Sequence, residues 1–246
     1  MKTRSLHILM PMAGEGSRFL NEGWDTPKPL IVLNGKALFQ RAIGSILIDG
    51  VSMKYSFVVR HEHIVKYSID EQIKHILPQA NVFSVLKTTR GAVETCLMAE
   101  SAIDDSDGIV VMDCDLEFRS EQYKKLIKRA LIQPIDQTFG GALVSFESSD
   151  PRYSYAEVDD NLKVIRTAEK EPISTHALCG AYFFANGKTF KRIAHQLLDD
   201  GTHGKTEFFV SLLFNYLLAE GKDVYLANME EYYSYGTPEE LKRYLL

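Results

Sequence analysis

The residues able to do chemistry fall into three short segments. The first, Pro11-Met12-Ala13-Gly14-Glu15-Gly16-Ser17-Arg18-Phe19, leaves an apolar run at its carboxyl end. That is where open parallel sheets place ligands. Gly14 and Gly16 lack β-carbons, so a phosphate chain can approach the backbone and successive N–H groups can turn toward it. Ser17 adds a hydroxyl donor, and Arg18 adds a permanently charged fork suited to phosphate oxygens. The segment is not a P-loop, because Gly-Lys-Ser/Thr is missing after the second glycine. It is not the dinucleotide fingerprint either, because the third glycine is missing. Taken alone, it also reads as a tight strand-to-helix turn.

The second segment is Thr26-Pro27-Lys28-Pro29-Leu30, where Lys28 stands 10 residues beyond Arg18. Prolines on both sides restrict the backbone and predict an extended course, which would hold the lysine as a prepositioned point charge. A chain of that length reaches up to ~33 Å, enough to close over a triphosphate. The third segment is Ile109-Val110-Val111-Met112-Asp113-Cys114-Asp115. An apolar strand running into Asp-x-Asp brings carboxylates to the same edge as the glycine loop. Such a pair can hold Mg²⁺ through oxygen while nucleotide phosphates complete the octahedron. A single Asp there would read as a cap or turn residue; two favour the metal.

Periodicity and breaker residues predict the elements that must position these segments. Strands are expected at Ser5–Met12, Tyr55–Val59, Asn81–Leu86, Gly108–Met112 and Thr138–Phe146. Helices are expected between them at Ala37–Ile48, Ile64–Leu77, Ala92–Ile103 and Glu121–Ile132. This alternation implies an α/β, Rossmann-like fold with a mostly parallel sheet between helices. After residue 145 the pattern changes to a smaller β-rich region. A hairpin is expected at Tyr153–Val158 and Leu162–Thr167, with further strands at Leu178–Phe184 and Val224–Ala227. Helices are expected at Thr189–Leu198, Thr206–Leu218 and Pro238–Leu246. No Pro/Gly/Ser-rich linker or repeat divides the chain. One domain over 1–246 is expected, with the later segment built onto the edge of the first sheet.

Composition narrows the function classes. The 246 residues are 45% hydrophobic and 25% charged, so a full core is available. The net charge of −5 argues against a diffuse basic field for nucleic acid. Cys96, Cys114 and Cys179 are scattered and fit neither a disulfide framework nor a zinc knuckle. The apolar run Leu6 to Met12 is broken by His7 and Pro11 and passes into a charged loop, unlike a secretory leader. No stretch approaches membrane-spanning length. The protein reads as cytoplasmic, with homo-oligomerisation left open.

Together, Gly14-Glu15-Gly16-Ser17-Arg18-Phe19, Thr26-Pro27-Lys28-Pro29-Leu30 and Asp113-Cys114-Asp115 resemble the sugar nucleotidyltransferases, or nucleotide-sugar pyrophosphorylases. The resemblance covers nearly the whole chain and implies their glycosyltransferase-A-type fold. Thr89-Arg90-Gly91-Ala92 resembles the family's second nucleotide-side loop, and Glu169-Lys170 its pair near the sugar phosphate. Cys179-Gly180-Ala181-Tyr182-Phe183 resembles a strand lining the acceptor pocket, and Gly236-Thr237-Pro238-Glu239-Glu240-Leu241 the closing segment. The resemblance implies that a phosphate monoester, usually a sugar 1-phosphate, attacks the α-phosphorus of a nucleoside triphosphate and releases pyrophosphate. It implies Mg²⁺ as cofactor and a precursor for surface polysaccharide as product.

On this reading Arg18 and Lys28 are catalytic. Met12, Ala13, Gly14, Gly16, Ser17, Thr89, Gly91 and Ala92 bind nucleotide, and Glu169, Lys170 and Gly180 bind acceptor. Asp115 and Asp113 bind metal. Residues 1–145 form the nucleotide part and 146–246 the acceptor part. One departure stands out. Many relatives carry a second metal Asp where this chain has Ser234. Either the metal relies on Asp115 and Asp113, or Glu230 or Glu231 serves from nearby, or the acceptor differs.

Arg60-His61-Glu62-His63 reads as polar junction residues rather than a zinc site, although His63 could face the acceptor. Glu207 is either a first-turn helix acid or an acceptor contact, and His203-Gly204-Lys205 a loop that could reach the acceptor phosphate. Three alternatives remain. One is a cytidylyltransferase acting on phosphocholine or another small phosphate. Another is a glycosyltransferase using Asp113-x-Asp115, and the last a non-catalytic protein with a degenerate site. The glycine loop and Lys28 suit a triphosphate, which weighs against the glycosyltransferase.

Overall fold

The computed structural model describes residues 4–132, 138–200 and 207–245. The first half alternates strand and helix: β1 Leu6–Met12, α1 Ser17–Asn21, β2 Val32–Leu33, β3 Lys36–Ala37, α2 Leu38–Ile46 and β4 Met53–Arg60. There follow α3 His61–Tyr67, α4 Ile69–Ile76, β5 Asn81–Val85, α5 Ala92–Leu97, β6 Gly108–Met112, β7 Leu116–Arg119, α6 Glu121–Ile132 and β8 Phe139–Glu147. The second half holds β9 Ser154–Val158, β10 Val164–Glu169, β11 His176–Phe184, α7 Gly187–Asp199 and α8 Leu213–Ala219. It closes with β12 Asp223–Asn228, β13 Glu231–Ser234 and α9 Pro238–Lys242.

Among the described residues, nine strands form one sheet. Its parallel heart runs β5-β4-β1-β6, as strand–helix alternation requires. The central pair β1 and β6 is buried on both faces, so these strands read as nearly continuous apolar runs. Leu6, Ile8, Met10 and Met12 of β1 join one core with α2, α4 and α6, while Leu9 joins the other with α5, α7 and α8. The result is a three-layer α/β/α arrangement.

The later chain does not simply extend the edge of the first sheet. β11 lies antiparallel between β6 and β8, so the two halves interleave. Ala181 of β11 pairs with Met112, the last residue of β6, so residues 177–180 overshoot the carboxyl end of β6. There Ala177 meets Tyr155 of β9, which brings the β9–β10 hairpin to the same edge.

Several boundaries differ from the periodicity. The helix expected over 64–77 is broken at Ser68, whose φ of 47° cannot continue a right-handed helix. The expected 92–103 helix stops at Leu97 and resumes as a 3₁₀ turn, Glu100–Ala102. Lys28 is not extended: Lys28–Leu30 form a 3₁₀ turn with Pro29 and Leu30 buried. Phe208 and Phe209 precede the next helical turn, because Phe208 spends its N–H on the Arg90 carbonyl and its carbonyl on the Val93 N–H. Thr206 and His203-Gly204-Lys205 lie outside the described residues. No helix among the described residues is long and apolar enough to cross a membrane.

One buried polar group makes the fold pH-sensitive. His7 of β1 is fully buried, with Nε2 2.8 Å from Ser56 Oγ of β4 and, among the described residues, no partner at Nδ1. Burial pushes its pKa down to about 4, against the pull of Asp107. The folded pKa is therefore below the unfolded one. The neutral imidazole stabilises fully above about pH 6.5, and that contribution is lost as pH falls toward 4. Urea unfolding at pH 7.5 and 4.5 is expected to show His7 costing about 2–3 kcal/mol at the lower pH. In His7→Gln this component should vanish; an unchanged pH profile in that variant would refute the assignment.

Candidate active site

The carboxyl ends of β1 and β6 meet the overshoot of β11, and the site is assembled there. Asp113, just past β6, donates its N–H to the Gly180 carbonyl at 2.9 Å. Gly180 has φ 94°, and a β-carbon at that position would lie 2.3 Å from Asp113 Oδ2. Asp115 is fixed on both sides. Its carbonyl accepts from the Tyr235 N–H at 2.8 Å, and its Oδ2 accepts from Lys28 Nζ at 2.6 Å. Burial opposes the charge of Lys28, but Asp115, with Cys114 and Asp113 behind it, holds its pKa above the usual lysine range. Burial and the negative field of Asp115 push the Asp113 carboxyl up, with Lys28 acting in the opposite sense. A lysine thus sits against two crowded carboxylates.

Two clefts open from this point, and both are lined by Asp113 and Asp115. One, of about 590 Å³, runs between the glycine loop, the loop carrying Lys28 and α3. The other, of about 360 Å³, runs between the β9–β10 hairpin, β11 and the closing segment. Asp113 and Asp115 are therefore reached from both sides.

A sequence profile of the nucleotidyl transferases matches residues 8–241. The chain belongs to the nucleotidyl transferase family. Solved structures agree in fold. A nucleoside-diphosphate-sugar pyrophosphorylase from Vibrio cholerae shares 24% identity over 98% of this chain and 99% of its own, with a TM-score of 0.79. A Bacillus anthracis protein assigned as a glucose-1-phosphate thymidylyltransferase shares 18% identity over 98% and 93%, with a TM-score of 0.74. The inositol-1-phosphate CTP transferase of T. maritima shares 16% identity over 98% and 94%, with a TM-score of 0.73. No curated protein matches the sequence significantly.

In this nucleotidyl transferase, Met12, Gly14, Gly16 and Lys28 line the larger cleft. Arg18, Ala92, Glu169, Lys170 and Gly180 line the smaller. Ala13, Ser17, Thr89 and Gly91 line neither. Thr89 Oγ1 bonds the Gly91 carbonyl at 3.1 Å and Thr95 Oγ1 at 2.6 Å, which shapes the second loop from within. A β-carbon on Gly91 would lie 2.5 Å from backbone atoms of Phe208, so this glycine lets the 207–209 segment pack on the loop. Glu169 Oε2 accepts from Ser154 and from Ser211 at 2.8 Å. Lys170 Nζ lies 3.5 Å from Glu207 Oε2 and over the Phe209 ring. Glu207 is therefore in the smaller cleft rather than at a helix start.

His63 lines the larger cleft, not the acceptor side, and Glu62 is held by Arg60 at 2.5 Å. Among the described residues, no group of three or more His, Cys, Asp or Glu side chains is placed to hold a metal. Glu230 accepts from the Glu121 N–H and Glu231 pairs with Arg119, so neither faces either cleft.

The carboxylate beside Ser234 is Glu240, which the sequence reading passed over. Its Oε2 accepts from Ser234 Oγ at 2.7 Å and from the Gly236 N–H at 3.1 Å, and its Oε1 meets Arg152 Nη2 at 2.6 Å. Thr237 caps α9 by accepting from the Glu240 N–H. Thr237-x-x-Glu240 is thus a capping-box spacing, a signal that could have located Glu240. Arg60, Thr88 and Glu15 form another unforeseen link: Arg60 Nη1 donates to Thr88 Oγ1 at 3.1 Å, which donates to Glu15 Oε1 at 3.0 Å. This chain ties the two nucleotide-side loops together, and nothing in the local sequence signals it.

Proposed function

We propose that the protein transfers a nucleoside monophosphate from a nucleoside triphosphate to a phosphate monoester, making an activated precursor for surface polysaccharide or a related glycan in the cytoplasm. The observation that carries this reading is the pair of clefts meeting at Asp113 and Asp115 with Lys28 against them. Two substrates can enter from opposite sides and meet at one fixed charge cluster. The residues act as one domain, with 1–145 serving the nucleotide and 146–246 the acceptor. The names of the neighbours support a phosphate-monoester acceptor, since two of them include glucose 1-phosphate and inositol 1-phosphate.

An acceptor phosphate oxygen bonds to the α-phosphorus, the bond from α-phosphorus to the bridging oxygen breaks, and pyrophosphate leaves with that electron pair. The nucleophile is already an anion, so no strong base is required. Burial pushes the Cys114 thiol up to about 12, which leaves it inert at neutral pH. The chain's task is positioning and charge stabilisation. Gly14, Gly16 and Ser17 cradle the triphosphate, with Met12, Ala13, Thr89, Gly91 and Ala92 around the nucleoside. Arg18, which lines the smaller cleft, holds the β/γ end from that side of the shared carboxylates. Lys28 bridges the α-phosphate and the incoming phosphate. Glu169, Lys170 and Gly180 hold the acceptor.

The donor set fits Mg²⁺. Asp115 and Asp113 offer hard carboxylate oxygens, and a cation beside them would offset both the burial and the repulsion by Asp115 that raise the Asp113 pKa. When bound, Mg²⁺ would neutralise charge on the triphosphate. Ser234, bonded to Glu240, contributes no carboxylate of its own. That change favours a second reading, a cytidylyltransferase for a small non-sugar phosphate.

A thermal-shift series with Mg²⁺ and each of ATP, CTP, GTP, UTP and dTTP tests the reading. At 100 times its Kd a triphosphate adds ~2.7 kcal/mol, raising Tm by about 5–10 °C for a chain of this size. One base should dominate, and Asp115→Ala should abolish the Mg²⁺-dependent part. No shift with any triphosphate would count against nucleotide transfer.

A further inference from the structure

The smaller cleft is unusual in what it offers an acceptor. Among the described residues its lining holds no Asn, Gln or His, and of its hydroxyls, which can also both donate and accept, Ser154 and Ser234 already donate to Glu169 and Glu240. Three of its four aromatic rings already carry a packed neighbour on one face. Arg152 lies 4.6 Å over the Tyr153 ring, Lys170 lies 4.5 Å over Phe209, and Phe146 stacks on Tyr232 with centroids 4.4 Å apart. A quaternary ammonium would need such a face free.

What the cleft does offer is a braced guanidinium. Arg152, in the β8–β9 connection, reaches the closing segment at Glu240 Oε1, 2.6 Å from its Nη2. Its Nε faces Asp150 Oδ2 at 3.1 Å, and Tyr153 backs its plane. Glu240 is itself locked by Ser234 and Gly236. Among the described residues nothing accepts from Nη1, although Arg152 lines the cleft. The side chain is held on three sides and keeps donors to spare. Glu240 and Asp115 flank Gly236, each with an oxygen 3.4 Å from where its β-carbon would be. Arg152 is thus anchored to the segment that also borders the metal carboxylate.

We propose that Arg152 forms a carboxylate subsite and that the acceptor is a phosphate monoester carrying a carboxylate. The phosphate lies at Lys28 and Asp115, the carboxylate at Arg152. This rests on the nucleotidyl-transfer reading above and leaves its bond changes untouched, since the carboxylate only binds. Ser234 in place of an acid fits the same picture, because it removes one negative charge where an anionic acceptor must enter.

Matched probes test this. Pyrophosphate release is measured with the triphosphate that shifts Tm, using O-phosphoserine against phosphoethanolamine and glucuronic acid 1-phosphate against glucose 1-phosphate. Each pair differs at one carboxylate. In at least one pair the carboxylate member should be favoured in kcat/KM by about 30- to 100-fold, the size of a lost charge-assisted contact. Arg152→Ala should collapse that ratio toward one while the nucleotide-induced Tm shift shows that the variant is folded. Should Arg152→Ala fail to fold with Glu240 unpaired, Arg152→Lys keeps the charge, loses the fork, and should lower the ratio about 10-fold. The proposal is overturned by equal use of both members in both pairs, or by a preference that survives the substitutions. It is also overturned if neither carboxylate probe turns over in a protein that binds its triphosphate. Absence of any triphosphate shift would instead defeat the nucleotidyl-transfer reading itself.

Discussion

Lys28→Ala is expected to lower kcat by about 10²- to 10³-fold, the cost of losing one charge-stabilising donor in a preorganised site. Lys28 Nζ lies 2.6 Å from Asp115 Oδ2 and lines the cleft shared with the glycine loop. Its carbonyl is tied to the Ile31 N–H in the 3₁₀ turn, so the ammonium is delivered from a fixed backbone. Two effects add in the variant. The charge facing the reacting phosphates disappears, and Asp113 and Asp115 lose the cation that offsets their repulsion. KM for the triphosphate should change less than kcat, because the contact matters most as charge moves onto the leaving pyrophosphate. Steady-state pyrophosphate release measures this, and near-wild-type turnover would remove Lys28 from the mechanism.

Gly180→Ala is expected to destabilise the fold by roughly 3–5 kcal/mol and to disable the site with it. The φ of 94° is one that alanine rarely adopts, and its β-carbon would sit 2.3 Å from Asp113 Oδ2 and 3.1 Å from Leu116 Cδ2. Asp113 cannot retreat easily. Its N–H is bonded to the Gly180 carbonyl, and its chain continues directly from the buried strand β6. The carboxylate must move or the overshoot of β11 must unpair. Gly14 gives the contrast: a β-carbon there meets nothing within 4 Å, so Gly14→Ala should change stability by no more than about 0.5 kcal/mol. Urea unfolding of the two variants decides the point. Equal stabilities would mean that the close approach at Gly180 is relieved at no cost.

The parallel heart of the sheet was legible because both of its signals are local. Gly108–Met112 is an unbroken apolar run and Leu6–Met12 an apolar run interrupted at His7 and Pro11, and the helices between strands carry their own periodicity. The errors came where a distant partner competes for the backbone. The helix expected from Thr206 gives way at Phe208 because Arg90 and Val93 take its hydrogen-bonding groups. β7 and β13 are four residues each and among the described residues pair only with one another, so neither is long enough to show alternation. The 64–77 helix looked continuous because a single serine at φ 47° leaves no mark on hydrophobic spacing.

For the site, the sequence by itself determined the ingredients: a glycine loop after one strand, a lysine between prolines, and two carboxylates after another strand. Those follow from residue type and from the rule that parallel strands deliver their carboxyl ends to one edge. Only the tertiary structure decided how they meet. β11 overshoots β6 and presses Gly180 against Asp113, Tyr235 just past β13 clamps Asp115, and two clefts share the carboxylates. It also placed Arg152 and Glu240, 88 residues apart in the chain, in one ion pair at the acceptor side. Side chains recruited from separate loops carry no common spacing, so their association depends on where the sheet brings those loops together.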